Sequence, residues 1–383
     1  MSHIYYFNNA ATTYPKPQEI ETSVSEYFVV PPVNSLRHCN CVKKITDIDI
    51  VCKKEIADFF NINRNDYEII LTPGATYSAN IAINAIAKKL NFIPTLITNN
   101  WCHNCIMRNH YERIGTKPVI IKDLDEINSV VTKGNFYAAI THQNNVDGKV
   151  ISDETIRNVI NVCSIYNAPI VLDITQSAGC TPIDISKFNY KNLFVFCSFH
   201  KGLYSVPGIG FLTVPKDYID YKLIYGGTGG RDSIDYTHTN SFEVGTPNEL
   251  AMNSVVSGIK FVKKNMDLIR LQKYTLCDYF IRLYEQLPES IQNCFSLNEP
   301  NRESGIISLS NLQPQKCEEI IVKLTENYNI IVRSGVHCSP LYHINELKCD
   351  STLRLSFGFY NNKNEIDYLI DSLGRCFSNV PFW

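Results

Sequence analysis

Short apolar runs alternate with stretches of helical period through the first two thirds of the chain. Glu68–Leu71 is an apolar run that stops at Thr72-Pro73-Gly74, and Ser78–Leu90 then repeats apolar residues at helical spacing. Thr95–Thr98, Pro118–Lys122 and Phe136–Thr141 read as strands. Asp153–Tyr166 reads as a helix with Ser152 as its N-cap. Pro169–Asp173, Leu193–Cys197 and Ile209–Val214 are again short, apolar and β-branched or aromatic. Buried strands alternating with helices predict an α/β domain with a mostly parallel sheet.

After about residue 255 the pattern changes. Val255–Tyr284 is one long helical stretch. Gly305–Leu309, Cys317–Glu326, Ile330–Arg333, Thr352–Phe357 and Lys363–Leu373 follow as strand, helix, strand, strand and helix, which suits a smaller α+β domain. The boundary falls near residue 260. A length of 383 residues suits one large and one small domain.

Composition narrows the function classes. With 44% apolar and 19% charged residues the chain can bury a sizeable core, which excludes a disordered or fibrous protein. A net charge of −2 shows no basic surplus, so no nucleic-acid partner is expected. No apolar run approaches the length of a membrane span, and the opening residues lack the pattern of a secretory signal. These features predict a cytoplasmic protein whose 14 cysteines are mostly free thiols.

In open α/β sheets ligands bind at the carboxyl ends of the strands, so polar residues just past each apolar run are the first candidates. Thr72-Pro73-Gly74-Ala75-Thr76 leads a strand into a helix N-terminus, a place for an anion such as phosphate, although many ordinary turns share this form. Asp173 ends a strand, where a carboxylate can hold a cationic ring nitrogen or simply cap a turn. Lys201 follows another buried strand in Ser198-Phe199-His200-Lys201-Gly202. Partial desolvation there would lower its pKa and make the amine a better nucleophile; an ordinary loop lysine is the alternative. Cys338 lies beside His337 in a Gly- and Pro-punctuated loop, as a reactive thiolate or as one inert cysteine among many. Arg354 alternates inward on a strand and needs a partner, either a ligand carboxylate or a structural ion pair. Cys102-His103-Asn104-Cys105 has C-x-x-C spacing, but no second pair follows to complete a zinc site.

The order of these motifs is more specific than any one of them. Asn8–Thr13, Pro73–Thr76, Cys102–Asn104, Asn144–Gly148, Asp173–Gly179, Ser198–Gly202, Phe242–Asn248, Arg333–Pro340 and Arg354–Ser356 together resemble the class V aminotransferase family. Within it the chain is similar to the cysteine desulfurases with an R-x-G-x-H-C loop. The resemblance runs from about residue 4 to residue 373 and is weak at 21–50 and 265–330. It implies the type I fold of pyridoxal phosphate (PLP) enzymes, with a mostly parallel seven-stranded sheet. Residues 21–260 would form the large PLP-binding domain, and 1–20 with 261–383 the small one.

The resemblance also implies site roles. Lys201 would hold PLP as a Schiff base, Asp173 would pair with the ring nitrogen, Gln176 would bond the ring hydroxyl, and His103 would stack on the ring. Thr76, Ser198 and His200 would hold the phosphate, and Ala75 would also contact the cofactor. Asn145 would contact cofactor or substrate, Arg354 would clamp the substrate carboxylate, and Thr246 would reach the other subunit's phosphate in a homodimer. With Lys201, His103 and Cys338 as its catalytic residues, the enzyme would take sulfur from L-cysteine, release alanine and keep a persulfide on Cys338 for an acceptor protein. His337 or the substrate would favour the thiolate. C–S lysis by β-elimination, or transamination of another amino acid, is the alternative on the same fold. No metal is expected at the site.

Overall fold

The computed structural model describes residues 3–29, 48–90, 92–131, 135–221, 224–227, 242–310 and 313–378. The chain runs β1 (Tyr5–Tyr6), α1 (Gln18–Glu26), α2 (Ile48–Phe60), β2 (Tyr67–Thr72), α3 (Ala75–Lys89), β3 (Thr95–Asn99) and α4 (Asn104–Arg113). It continues through β4 (Val119–Ile121), α5 (Ile127–Val130), β5 (Phe136–Thr141), α6 (Asp153–Ile165), β6 (Ile170–Asp173), β7 (Leu193–Ser198), β8 (Gly210–Pro215) and α7 (Glu249–Glu285). The last third holds α8 (Glu289–Gln292), β9 (Ser296–Asn298), β10 (Ile306–Ser310), α9 (Pro314–Tyr328), β11 (Ile330–Ile331), β12 (Arg333–Gly335), α10 (Pro340–Tyr342), β13 (Thr352–Ser356) and α11 (Lys363–Ser378).

Seven strands form one sheet in the order β2-β8-β7-β6-β5-β3-β4. All neighbours are parallel except β8, which runs antiparallel to both β2 and β7. The expected mostly parallel α/β sheet is therefore present. Every residue of β5, β6, β7 and β8 is buried, because helices cover both faces. The two faces alternate residue by residue. Phe136, Ala138 and Ile140 of β5 face a core shared with α2, α6 and α7, whereas Tyr137 and Ala139 face one shared with α3 and α4.

A second sheet, β12-β13-β10-β9, is antiparallel throughout. With α9, α11, Phe7 and the end of α7 it encloses its own apolar core. Helix α7 serves both cores: Ala251 to Ile269 pack under the large sheet, and Leu276 to Ile281 pack under the small one. Asn248 caps its start by accepting from the Ala251 N–H. Among the described residues no helix is long and apolar enough to cross a membrane, and no disulfide joins two of the described cysteines.

α7 meets the loop after β7 at Gly258. A Cβ there would lie 2.1 Å from the Leu203 carbonyl oxygen, which is backbone and cannot swing aside. Gly258→Ala is expected to force helix and loop apart and to cost about 1–3 kcal/mol, read as a lower denaturation midpoint.

Candidate active site

The carboxyl ends of β2, β3, β5, β6 and β7 converge on one cleft of about 160 Å³. Its lining includes Ala75, Thr76, His103, Asn145, Asp173, Gln176, Ser198, His200 and Lys201. Cys105 and Thr175, which lie inside motifs but were given no role, also line it, as do Thr141 and Gln143. Each of these four lies within two residues of a motif position or a strand end, so a strict reading of strand ends could have found them.

β2 turns into α3 through Gly74, whose φ of +146° suits glycine. A Cβ at that position would meet Ser198 Oγ at 3.3 Å. The absence of a side chain lets the last residue of β7 approach, and the Ala75 N–H donates to Ser198 Oγ at 2.8 Å. The start of α3 and the end of β7 thus form one rim.

Asp173 closes β6 with 5% exposure, and its Oδ1 accepts the Thr175 N–H at 2.9 Å. Gln176, one turn on, donates from Nε2 to the Ala10 carbonyl at 2.9 Å, which ties the N-terminal segment to the cleft. Lys201 is half-buried. Burial lowers its pKa to about 8, and the Asp173 carboxylate opposes that shift.

His103 is the N-cap of α4, and its Nδ1 accepts the Cys105 N–H at 3.1 Å. Burial pulls its pKa down to about 4, so the ring is neutral and carries its proton on Nε2. His200 is likewise held to about 4, by burial first and then by Lys201.

Cys338 and Arg354 come from the smaller sheet's side and reach the cleft through Asn145. The Asn145 Nδ2 donates to the His337 carbonyl at 2.5 Å, and its Oδ1 accepts from Ser339 Oγ at 2.6 Å, so one amide grips the loop on both sides of Cys338. The Cys338 carbonyl accepts the Asn104 N–H at 2.9 Å, which docks the same loop on the start of α4. His337 and Cys338 both have left-handed backbones, φ 49° and 61°. Arg354 is 2% exposed and donates from Nη1 to the Asn145 carbonyl at 2.7 Å. Burial, and then Arg333 paired opposite on β12, lower its pKa to about 9. His337 is not the cation beside the thiol: its Nε2 is bonded to Thr352 Oγ1 at 3.0 Å, and burial holds its pKa well below the usual range.

Thr246 is exposed and lies outside the lining of this cleft. Cys102 is fully buried in the core behind the sheet, while Cys105 faces the cleft.

Buried polar atoms with no partner among the described residues gather in and around the cleft. They are Thr141 Oγ1, Gln143 Nε2, Asn144 Nδ2, Thr175 Oγ1, His200 Nδ1, and Nε and Nη2 of Arg354. Buried polar groups are normally satisfied, so such a cluster marks a place for a polar ligand.

The chain is similar to known proteins along nearly its whole length. A probable cysteine desulfurase of Pyrococcus abyssi is 28% identical over 97% of this chain and 93% of its own length. One from Borreliella burgdorferi is 27% identical over 97% and 92%. The crystal structure of the cysteine desulfurase CsdA from Escherichia coli superposes with a TM-score of 0.79 at 19% identity, over 98% of this chain and 95% of that one. The apo cysteine desulfurase from Thermococcus onnurineus gives 0.77, also at 19%. These structures share the type I fold of PLP-dependent enzymes. Residues 4–369 match the family described as Aminotransferase class-V, and the chain belongs to that family.

Proposed function

We propose that this protein is a PLP-dependent cysteine desulfurase that converts L-cysteine to alanine and holds the sulfur as a persulfide on Cys338. The observation that carries this reading is the double grip on the Cys338 loop. Asn145 and Asn104 hold a thiol-bearing residue beside the cleft that contains Lys201. Transamination has no use for such a thiol. The names of the relatives support the same reading.

The residues fit PLP. The cleft offers an amine, a buried carboxylate, a neutral imidazole and unpartnered hydroxyl and imidazole atoms, which are the donor types that a phosphorylated hydroxypyridine aldehyde needs. When bound, the cofactor supplies an electron-withdrawing ring that stabilises negative charge at the substrate α-carbon.

The chain's own groups do the rest. Lys201 would hold the cofactor and, once free, carry the α-proton. Asp173 would keep the ring nitrogen protonated, Gln176 would bond the ring hydroxyl, and neutral His103 would lie against the ring face. Thr76, Ser198 and His200 would bind phosphate, and Ala75 would also contact the cofactor. Thr246, exposed on this subunit, would reach the phosphate of the other subunit of a homodimer. Asn145 would touch cofactor or substrate beside the Cys338 loop. Cys338, as thiolate, would attack the substrate sulfur; the carbon–sulfur bond breaks, its electrons stay on carbon, and carbon takes up a proton. The persulfide would pass to an acceptor protein in the cytoplasm.

Arg354 would clamp the substrate carboxylate, because Nε and Nη2 of its buried guanidinium have no partner among the described residues. Arg354→Lys keeps the charge but loses the planar fork. Losing a charge-assisted hydrogen bond worth about 1.5–3 kcal/mol raises KM for L-cysteine about 10- to 100-fold, measured by steady-state alanine formation.

The whole reading is tested by incubating the holoenzyme with L-cysteine, L-selenocysteine and L-cystine and following alanine, pyruvate and sulfide separately. Alanine with protein-bound sulfur from L-cysteine is expected. Pyruvate without bound sulfur would assign β-elimination instead.

A further inference from the structure

Lys273 is a buried amine that the proposed reaction does not use. It lies on α7 between the stretch that packs under the large sheet, ending at Ile269, and the stretch that begins the other core at Leu276. Its side chain is 5% exposed, and its Cγ and Cδ lie against Gly305. The carboxylates of this region are already engaged: Asp278 by Arg282 and Arg302, and Glu303 by Arg270. Lys273 Nζ instead contacts the Sγ of Cys180 at 2.8 Å, and Cys180 is itself 6% exposed. Among the described residues no carboxylate pairs with this buried nitrogen, so the sulfur is the group that compensates it.

Cys180 closes the turn that starts at Ser177, its N–H donating to the Ser177 carbonyl at 2.8 Å. That turn abuts the residue after Lys201: a Cβ on Gly202 would lie 2.8 Å from Cys180 Sγ. The pair therefore joins three parts, namely the turn after β6, the loop of Lys201 and the junction of the two cores.

We propose that Cys180 and Lys273 form an oxidative modification site, at which hydrogen peroxide converts the contact into a covalent sulfur–nitrogen bond. In the first step Cys180 sulfur attacks one peroxide oxygen. The O–O bond breaks, sulfur gains a hydroxyl, and the other oxygen leaves as water with the thiol proton. In the second step the Lys273 nitrogen lone pair attacks that sulfur. The S–O bond breaks, and the hydroxyl departs as water with a proton from nitrogen. Sulfur is oxidised by two electrons and one peroxide is reduced to two waters. Sulfenic acids condense in this way with nearby nitrogen, and an amine already in contact pays no cost of encounter. The bond ties the turn beside Lys201 to α7 and is reversed when an external thiol attacks sulfur.

The test needs neither cofactor nor substrate, so it is independent of the desulfurase reading. Full-length protein is treated with hydrogen peroxide, blocked with an alkylating agent, digested and mapped by mass spectrometry. A linked species joining the peptides of Cys180 and Lys273, lighter than their sum by two hydrogens and separated by dithiothreitol, is expected. The species should be absent in Lys273→Met treated alike. Recovery of Cys180 as free thiol, as sulfinic acid, or in a disulfide with Cys277 one turn along α7 would overturn the proposal. Because the decisive map is made on the unaltered chain, a variant that fails to fold does not obscure the outcome.

Discussion

Lys201→Ala is expected to slow alanine formation from L-cysteine by about 10²–10⁴-fold, the usual contribution of a positioned acid–base group. The expectation rests on the local electrostatics. Burial brings the amine pKa from 10.5 down to about 8, and Asp173 limits the fall. Relative to an ordinary lysine, the free-base fraction near neutral pH rises roughly 300-fold. An amine so placed can both capture an aldehyde and accept a proton. Borohydride treatment should therefore fix PLP to the peptide bearing Lys201 in the wild type and to no peptide in the variant.

The sign of the pH effect follows from the same group. Below about 8 the amine is mostly ammonium and cannot act as nucleophile or base, so cofactor capture by the apoprotein should quicken as pH rises through about 8 and then level off. Single-turnover alanine formation separates the chemical step from cofactor loss. A Lys201→Ala enzyme within tenfold of wild type would place the proton-transferring group elsewhere.

The large sheet was legible because its strands are buried on both faces. Phe136–Thr141 reads as an uninterrupted apolar run and is β5 residue for residue. Ile209–Val214 was equally visible as a strand, but its antiparallel direction was not, since alternation of strands and helices says nothing about a strand that follows its neighbour through a short loop. Ile330–Arg333 reads as one strand, yet Ile330–Ile331 pairs with β1 and Arg333–Gly335 with β13, a change of sheet that only the tertiary pairing determines. Val255–Tyr284 is six residues short at its start, where Asn248 caps the helix after Pro247. Helix α4 was missed because Asn104–Arg113 is polar and lacks a clean apolar period.

Asp173 and Lys201 line the cleft, as their places just past strand ends suggested, although position alone also suited a turn cap and an ordinary loop lysine. The grip of Asn145 on the Cys338 loop was not readable, because it joins residues 192 and 194 positions apart. The same distance in sequence hid the environment of His337. Proximity to Cys338 along the chain suggested a cation, whereas the ring turns to Thr352 and stays neutral.

Cys338→Ala is expected to lower alanine formation from L-cysteine by about 10²-fold or more, with loss of the protein-bound persulfide, because it removes the nucleophile and not a supporting contact. The substitution deletes one half-exposed sulfur. The backbone bonds that seat the loop, from Asn104 N–H to the residue 338 carbonyl and from Asn145 to residues 337 and 339, do not involve that sulfur. The unfolding midpoint should thus move by no more than about 0.5 kcal/mol. Cys105 also lines the cleft, but burial pushes its thiol well above the ordinary range, which leaves it protonated and a poor substitute. A Cys338→Ala enzyme that still yields alanine and a persulfide at Cys105 would move the sulfur-accepting role to that residue. One that yields pyruvate and free sulfide at an unchanged rate would show that the thiol held by Asn145 has no part in breaking the carbon–sulfur bond.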